Sequence, residues 1–248
     1  MQFDDFVPEQ GTSEAGQALS RMLEHENPGK SYAEVMRLRV SGALADECRD
    51  VYFVAHENGE CVSRLWNGWG KHENAIGNFG NFLTLESHRG QGIGTRLLEL
   101  WYDDLQSRAD QPLALFCTSA PKAALMYAKY GMRPIAKDAT YGPSYMPLGD
   151  SPESFEAFCE AYYQPADVLY RRPASFEYRH EIDLLLKFAL AHKGLPFGLD
   201  GMPSIEQALL TSPEKTEMLF TKSGRCVGWA FDGAAQVYPA YSQANIFI

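Results

Sequence analysis

The spacing of apolar residues in the first part of the chain predicts two helices followed by a hairpin. Apolar residues recur at three- and four-residue intervals over Glu14–Glu26 and Tyr32–Ala45, as on the buried face of a helix. Two strand-like runs follow, Val51–Ala55 and Cys61–Trp66, and Glu57–Glu60 joins them. Because the joining residues contain Asn-Gly, a strong turn signal, the two runs are expected to pair as an antiparallel hairpin.

A glycine-rich turn then separates a third strand-like run from a third helical pattern. Asn81–Leu85 is strand-like, Arg89–Thr95 reads Arg-Gly-Gln-Gly-Ile-Gly-Thr, and an amphipathic helix is predicted from Thr95 to about Arg108. Glycines let the backbone approach a phosphate closely, and the first turn of a helix has N–H groups without intrahelical partners. This strand–turn–helix order predicts an anion site.

Two well-known phosphate loops fit this turn poorly. A P-loop ends in Gly-Lys-Ser/Thr, whereas Gly94, Thr95 and Arg96 supply no lysine for the terminal phosphates of a nucleotide. The dinucleotide fingerprint is G-x-G-x-x-G, but the glycines here recur at every second position. The spacing argues against a P-loop and leaves a Rossmann oxidoreductase as a distant alternative.

A second strand–helix pair follows the glycine turn. Leu113–Thr118 is a compact apolar strand, and Pro121–Tyr130 is predicted to be a helix. Ser119 is expected to cap this helix, proline suits its first turn, and Gly131 suits its C-terminal end. The helix ends in the sequence Tyr-Ala-Lys-Tyr-Gly-Met, residues 127–132.

The two motifs together resemble the GNAT N-acetyltransferase superfamily. Its acyl-CoA loop reads Gln/Arg-x-x-Gly-x-Gly/Ala, matched by Arg89, Gly92 and Gly94, and its later helix carries Tyr-x-x-x-Gly-Phe, matched by Tyr127 with methionine replacing phenylalanine. The resemblance implies an α/β (α+β) fold with a mixed, mostly antiparallel sheet flanked by helices. An ordinary glycine-rich β–α turn is the alternative interpretation of the loop.

The resemblance also implies acetyl-CoA as co-substrate, with no metal. Backbone N–H groups from about Gln91 to Thr95 would hold the pyrophosphate. The full set of implied cofactor-binding residues is Leu83, Thr84, Leu85, Arg89, Gly90, Gln91, Gly92, Ile93, Gly94 and Thr95.

Tyr127 is the implied general acid. When an amine attacks the thioester, the tetrahedral intermediate expels a thiolate, and a nearby phenol can protonate or stabilise that sulfur. The alternative is a core tyrosine on a helix that also presents Leu125 and Met126, and Tyr130 is the second candidate for the acid.

The general base is less well defined by the sequence. Related enzymes often use a glutamate at the end of the strand before the loop, and Glu86 is the nearest equivalent. His88 has the better unperturbed pKa. Beside Arg89, however, both side chains can simply belong to the solvated loop surface, and His72 and Glu73 are more remote candidates.

Aromatic residues are concentrated just before the glycine turn. The stretch Trp66–Gly80 contains three aromatic residues among glycines: Trp66, Trp69 and Phe79. These three aromatic side chains either line an acceptor cleft or pack in the core.

The GNAT resemblance covers about the first 150 residues, which suggests two domains, 1–150 and 151–248. After a polar turn at Asp150–Glu153, a helix is predicted over Phe155–Tyr163. The later residues resemble a second, incomplete GNAT opening: a strand at Val168–Pro173, helices at Phe176–Leu190 and Ser204–Leu210, and a hairpin at Thr216–Phe231. A chance likeness between two ordinary hairpins is the alternative. This C-terminal α+β region has no Arg-x-x-Gly-x-Gly loop of its own.

The amino-acid composition restricts the cellular compartment and the classes of partner that are expected for this chain. The 248 residues carry a formal charge of −10, which opposes non-specific nucleic-acid binding and favours a cationic acceptor. Five cysteines without a C-x-x-C pair argue against a disulfide framework or a zinc site and fit the reducing cytoplasm. No apolar run suggests a signal peptide or a membrane span. Pairing of an incomplete sheet makes a homodimer a further expectation.

Two functions of different class are consistent with these patterns. The first is an N-acetyltransferase that moves an acetyl group from acetyl-CoA to a primary amine of a small molecule or peptide by direct attack. The second is a non-catalytic acyl-CoA-binding sensor or interaction module.

Overall fold

The computed structural model describes residues 1–11, 13–24, 31–135, 142–164, 166–191, 204–238 and 245–247. The chain divides into two compact units, here called the first and second units. The first unit comprises Met1–Lys71 and Asn78–Gln111, and the second comprises His72–Gly77 and Pro112–Ile248. In the part of the chain that is described, no helix has the length and apolar character needed to cross a membrane.

The first unit is a sheet with helices on both faces. Its strands follow the order β1-β2-β3-β4, and β2 pairs antiparallel with both β1 and β3. Tyr52, Val54 and Trp66 pack on α1 and α2, whereas the alternate residue Phe53 faces α3. The elements are β1 (Gln2–Phe6), α1 (Glu14–Glu24), α2 (Ser31–Val40), β2 (Cys48–Glu57), β3 (Glu60–Gly70), β4 (Gly77–Thr84) and α3 (Ile93–Ser107).

The predicted hairpin is confirmed, and its turn has the expected geometry. Asn58 and Gly59 both have positive φ angles, 53° and 79°, as a two-residue turn with matching strand twist requires. The predicted second helix is too long, because α2 ends at Val40 and Gly42 takes a left-handed φ of 79°. Residues 25 and 26 of the predicted first helix lie outside the described residues.

The second unit contains strands of two sheets. β5, β7 and β6 pair antiparallel in that order, and a smaller sheet has the order β11-β10-β9-β8-β12, with β8 and β12 parallel. The elements are β5 (Ala114–Ser119), α4 (Pro121–Tyr127), β6 (Arg133–Pro134), β7 (Gly142–Pro147), α5 (Phe155–Tyr162), β8 (Val168–Pro173), α6 (Arg179–Ala191), α7 (Ile205–Thr211), β9 (Thr216–Phe220), β10 (Cys226–Phe231), β11 (Ala234–Val237) and β12 (Asn245–Phe247).

An aromatic cluster joins β5 and β7 to α5 within the second unit. The ring of Phe158 lies 5.8 Å from that of Phe116 and 5.3 Å from that of Tyr145, and the Tyr145 hydroxyl donates to Pro152 O (2.5 Å). Residues on both sides of position 150 therefore share one core. The domain division at 150 stays a prediction.

The predicted fold class is confirmed: a mostly antiparallel α+β arrangement flanked by helices, with a second, smaller C-terminal sheet. The predicted position of one turn is wrong. Gly142 and Pro143, predicted to turn between the last two strands, already belong to β7, while Tyr141 lies outside the described residues.

Candidate functional site

The predicted anion-binding turn lies in the first unit, between β4 and α3. A 3₁₀ turn, Glu86–His88, follows β4 and is closed by hydrogen bonds from His88 N to Leu85 O (2.9 Å) and from Arg89 N to Glu86 O (3.2 Å). Gly90 and Gly92 then adopt left-handed backbone conformations, with φ of 77° and 78°. Most side chains are strained in this region, which explains glycine at both positions.

The three glycines of the turn serve two different purposes. A Cβ atom added at Gly90 or Gly92 would meet nothing within 4 Å beyond the adjacent residues. A Cβ at Gly94 would lie 2.7 Å from Phe82 Cζ. Gly94 therefore allows the first turn of α3 to pack closely on β4, whereas the other two glycines border open space.

The start of α3 is suited to an anion. Its N-cap residue is Gly92, no side chain caps it, and the first intrahelical bond runs from Arg96 N to Gly92 O (3.0 Å). The N–H groups of Ile93, Gly94 and Thr95 precede that bond and so have no acceptor within the helix. The first turn also carries no acidic residue, and the helix dipole favours negative charge there. The prediction that α3 begins at Thr95 was wrong by two residues, because Gly94 is needed for packing inside the helix.

The end of β4 is tied to its surroundings by short polar contacts. Ser63 on β3 donates to Leu83 O (2.9 Å), which leaves the Thr84 hydroxyl to donate to Ser63 Oγ (2.8 Å). Arg89 Nε donates to Thr84 O (3.0 Å) while the residue remains exposed. These contacts fix the strand end from which the turn begins.

β4 contains an irregularity that the sequence pattern did not predict. Phe79 packs on Trp101 of α3, with ring centroids 4.2 Å apart, and Phe82, three positions later, also faces α3 at Gly94. Residues three apart point to opposite faces of a regular strand, so an extra residue lies between them. That residue is Asn81, with a φ of 54°, and its side chain accepts from Arg64 Nε (3.1 Å).

This bulge re-aims the last residues of β4 just before the turn. Bulges are common beside active sites, where they change the direction of a strand end. The available signal was the Gly80-Asn81 pair inside a strand-like run, because glycine within a strand often marks a bulge.

The candidate general bases lie on the exposed side of the turn. Glu86 is exposed on the 3₁₀ turn, and His88 Nδ1 is 2.8 Å from Ser87 Oγ. Glu86 thus has the solvated setting that was the alternative to a catalytic role, whereas His88 is partly buried. His72, a remote candidate, belongs to the second unit.

Tyr127 lies in the second unit, at the end of α4, and is only 4% exposed. Burial, together with the neighbouring Cys117 thiol, raises the pKa of Tyr127 above its usual value. The phenol is therefore protonated at neutral pH and can act as a donor. Leu125, two positions earlier and so on another face of the helix, is 73% exposed, whereas Ala123 and Ala124, on the Tyr127 face, are partly buried. Tyr130 lies in a following 3₁₀ turn.

The helix that carries Tyr127 is capped differently from the prediction. Ser119 was expected to be the N-cap, but it is the last residue of β5, and Ala120 occupies the cap position without a side-chain bond. Among the described residues, the buried Ser119 Oγ has no hydrogen-bond partner. The proline in the first turn and the left-handed Gly131 at the C-terminal end are confirmed.

The aromatic residues before the turn belong to the core and not to an open cleft. Trp66 and Trp69 lie within β3 and Phe79 within β4, and all three are buried. Trp66 Nε1 donates to Asp50 Oδ1 (2.6 Å), and the Arg39 guanidinium stacks on its ring at 4.4 Å. The packing interpretation of these residues is therefore correct.

A comparison with known protein families finds a match that includes the glycine turn and Tyr127. Residues 48–133 match the model of the acetyltransferase (GNAT) domain, which spans β2, the glycine turn and Tyr127. No curated protein matches the chain.

Solved structures also align with part of the chain. An acyl-CoA N-acyltransferase from Pseudomonas aeruginosa is 16% identical, with a TM-score of 0.43 over 58% of this chain and 98% of its own. ElaA from Escherichia coli is 12% identical, with a TM-score of 0.44 over 59% and 99%. A chain of the NatC complex bound to Gag peptide and CoA is 16% identical, with a TM-score of 0.41 over 60% and 100%.

The family match and the two sequence motifs coincide. The match includes both Arg89–Thr95 and Tyr127–Met132, the segments on which the resemblance was based. Over residues 48–133 this chain matches the GNAT acetyltransferase domain model.

Proposed function

We propose that this protein is an N-acetyltransferase that transfers an acetyl group from acetyl-CoA to a primary amine of a small molecule or peptide. The observation that carries the proposal is the Arg89–Thr95 turn, where two left-handed glycines border open space at the uncapped start of α3. A pyrophosphate needs such a set of backbone N–H groups with a favourable dipole. The GNAT family match over the same residues supports acetyl-CoA as the ligand.

The proposed cofactor contacts extend from the turn to the end of β4. Backbone N–H groups from Gln91 to Thr95 would bind the pyrophosphate, and Leu83, Thr84 and Leu85 would contact the pantetheine and acyl end. The polar contacts of Ser63 and Arg89 with this strand end support a rigid position for those residues.

In the proposed reaction the amine attacks the thioester carbon directly. A nitrogen–carbon bond forms, the resulting tetrahedral intermediate breaks its carbon–sulfur bond, and the products are an N-acetylated amine and CoA. The nitrogen of a cationic primary amine loses two protons: one before the attack, for which Glu86 is the proposed acceptor, directly or through water, and one from the tetrahedral intermediate, to solvent. The departing sulfur gains one proton or a hydrogen bond.

Tyr127 is proposed to serve the departing thiolate. Its raised pKa keeps the phenol protonated, but it also makes complete proton transfer to a thiolate unfavourable, because a thiol is a stronger acid than this phenol. Stabilisation of the negative sulfur through a hydrogen bond is therefore the role we assign, and solvent would complete the protonation.

Substrate and setting are inferred from the charge and the cysteines. The acidic chain favours a cationic amine, and the five cysteines are buried free thiols, in keeping with the expected cytoplasmic location. We propose neither a nucleic-acid nor a membrane partner, and a homodimer stays an expectation.

Calorimetry with acetyl-CoA and a thiol-release assay over polyamines, aminoglycosides, amino acids and peptides test the function. Gly92→Asp and Gly92→Asn form a matched pair, since both residues tolerate left-handed φ better than most and differ in charge. We expect the asparagine variant to retain acetyl-CoA affinity within about fivefold and the aspartate variant to lose about 100-fold by repulsion. Equal affinities in two folded variants would remove the turn from the site. Binding without thiol release for every amine would instead support the acyl-CoA sensor.

A further inference from the structure

A histidine outside the proposed acetyl-CoA site lies in an unusual setting within the second unit. His72 begins the segment His72–Gly77, and its side chain is 14% exposed. Its ring stacks on Tyr178, with centroids 4.3 Å apart and an interplanar angle of 22°. The ring is therefore fixed in position by packing.

Each ring nitrogen of His72 lies close to an oxygen atom. Nε2 is 3.1 Å from Glu181 Oε1, and Nδ1 is 3.1 Å from Glu73 O. A neutral imidazole has one N–H group, whereas an imidazolium has two. The contact with Glu73 O is a hydrogen bond, whereas Nε2 and Glu181 Oε1 are at ion-pair distance without hydrogen-bond geometry, so the attraction between them depends on a positive charge on the ring.

Glu181, at the start of α6, is the other half of the contact. The residue is 1% exposed, and its Oε1 also accepts from the backbone N–H of Ile76 (3.3 Å). Within the described residues, its Oε2 has no hydrogen-bond partner. A buried carboxylate with so few donors depends strongly on a nearby positive charge.

We propose that protonated His72 and Glu181 form a lock that holds residues 72–77 against α6 and that opens when His72 loses its proton. Loss of the proton would leave Glu181 as a buried charge without its cation. The Ile76 N–H bond to the same oxygen would then weaken, because Glu181 would gain by turning toward water. The segment continues along the chain directly into β4, so the lock controls the residues that lead into that strand.

Other charged or titratable groups surround the pair from each neighbouring element. Arg225 Nη1 donates to Asn74 O (3.4 Å), and its guanidinium lies 4.0 Å from the centre of the Tyr162 ring. The remaining groups that act on His72 or Glu181 are Glu73, Glu177, Tyr178 and Cys226. Among these neighbours, only Glu181 makes an ion-pair contact with the His72 ring.

The net effect of these groups on the His72 pKa determines how the stability of the lock changes with pH. Burial lowers the pKa of His72, but the Glu181 carboxylate, the Glu73 carbonyl and the Glu177 charge outweigh it, so the pKa is raised above 6.5. The contribution of the pair to stability is therefore complete below pH 6.5 and is lost as pH rises through the raised pKa. The lock is closed in mild acid and opens toward alkaline pH.

Histidine-ring NMR titration and amide hydrogen exchange on the full chain test the lock directly, without acetyl transfer. In the native protein His72 should titrate above 6.5, and exchange at Ile76, corrected for its intrinsic pH dependence, should accelerate at least about threefold through that transition. Glu181→Gln should lower the His72 pKa and remove the pH dependence. Glu177→Gln, a carboxylate on the neighbouring turn that makes no contact with the ring, should leave the transition in place.

Two results would overturn the proposal. One is an unchanged His72 pKa in folded Glu181→Gln, and the other is corrected Ile76 exchange in the native protein that does not vary with pH. If Glu181→Gln does not fold, the native titration and exchange profile decide the question alone. Because neither readout needs an acceptor amine, failure of the lock and failure of the proposed acetyl transfer are distinguishable.

Discussion

The described residues contain the same succession of elements twice, but only the first copy leads into the glycine-rich turn for which anion binding is proposed. β1, α1, α2, β2, β3 and β4 form the first copy, and β8, α6, α7, β9, β10 and β11 form the second. In each copy the four strands are neighbours in chain order. This correspondence supports the prediction that residues 151–248 contain a truncated GNAT-like repeat, since it involves whole elements and not only the likeness of two hairpins.

The difference lies after the fourth strand. β4 is followed by the glycine turn and α3, whereas the residues after Val237 contain no Arg-x-x-Gly-x-Gly sequence. In the second copy, β12 pairs in parallel with β8. Shared topology thus gives a scaffold, and the proposed anion site depends on one turn and the helix start beside it.

The largest expected effect comes from separating the chain at residue 150. Fragment 151–248 lacks Phe116 and Tyr145, which pack on Phe158, and we expect it to be insoluble or to melt without cooperativity. Fragment 112–248 keeps that cluster and is the matched control. Thermal unfolding by circular dichroism compares them. A soluble 151–248 fragment that unfolds cooperatively and binds acetyl-CoA would contradict both the shared core and the absence of a second site.

The next largest effect is expected on turnover. Tyr127→Phe removes the hydroxyl but keeps the ring, so packing and acetyl-CoA affinity should change little while kcat falls about 10²–10³-fold through loss of one hydrogen bond to the thiolate. Single-turnover thiol release and calorimetry separate the two quantities. Tyr130→Phe is the control on the following turn. A decrease below about threefold at every pH would transfer the role to Tyr130 or to solvent.

Local patterns were sufficient for much of this architecture, and the failures have physical causes. The Asn58-Gly59 hairpin and the helix α5 were predicted because the deciding contacts lie within a few residues, as in the bond from Ala157 N to Ser154 Oγ at the start of α5. The start of α3 was not, because the need for glycine at 94 comes from Phe82 in another element. Alternation alone also could not place the bulge at Asn81, since the contact that identifies it comes from Trp101.

The same limit applies to the candidate site. The glycine turn is a local motif and could be predicted residue by residue. The surroundings of Tyr127 and the pair of His72 with Glu181 depend on residues distant in sequence. Spacing gives no information about such partners.

A moderate effect is expected when charge is added at the start of α3. Thr95→Glu places a carboxylate in a first turn that has none, so it should stabilise the helix by about 0.3–1 kcal/mol. The same charge should repel a pyrophosphate and weaken acetyl-CoA binding about tenfold. Thr95→Gln is the neutral control. Opposite signs for stability and affinity would be hard to explain by misfolding, and unchanged affinity would count against the proposed loop contacts.

The smallest expected effect is the difference in stability lost when glycine is replaced in two turns, one from each copy. Gly59 joins β2 to β3, and Gly233 joins β10 to β11; both have left-handed φ, 79° and 85°. Alanine at either position should cost about 1–2 kcal/mol, because its Cβ crowds the following carbonyl. At Gly233 an added Cβ meets nothing within 4 Å, whereas at Gly59 it lies 3.3 Å from Arg21 Nη2, at the movable end of an exposed side chain. Chemical denaturation should therefore show nearly equal losses, with Gly59→Ala larger by at most about 0.5 kcal/mol. A much larger loss at Gly59 would mean that the Arg21 contact with the turn, and not backbone strain, sets the stability of the first hairpin.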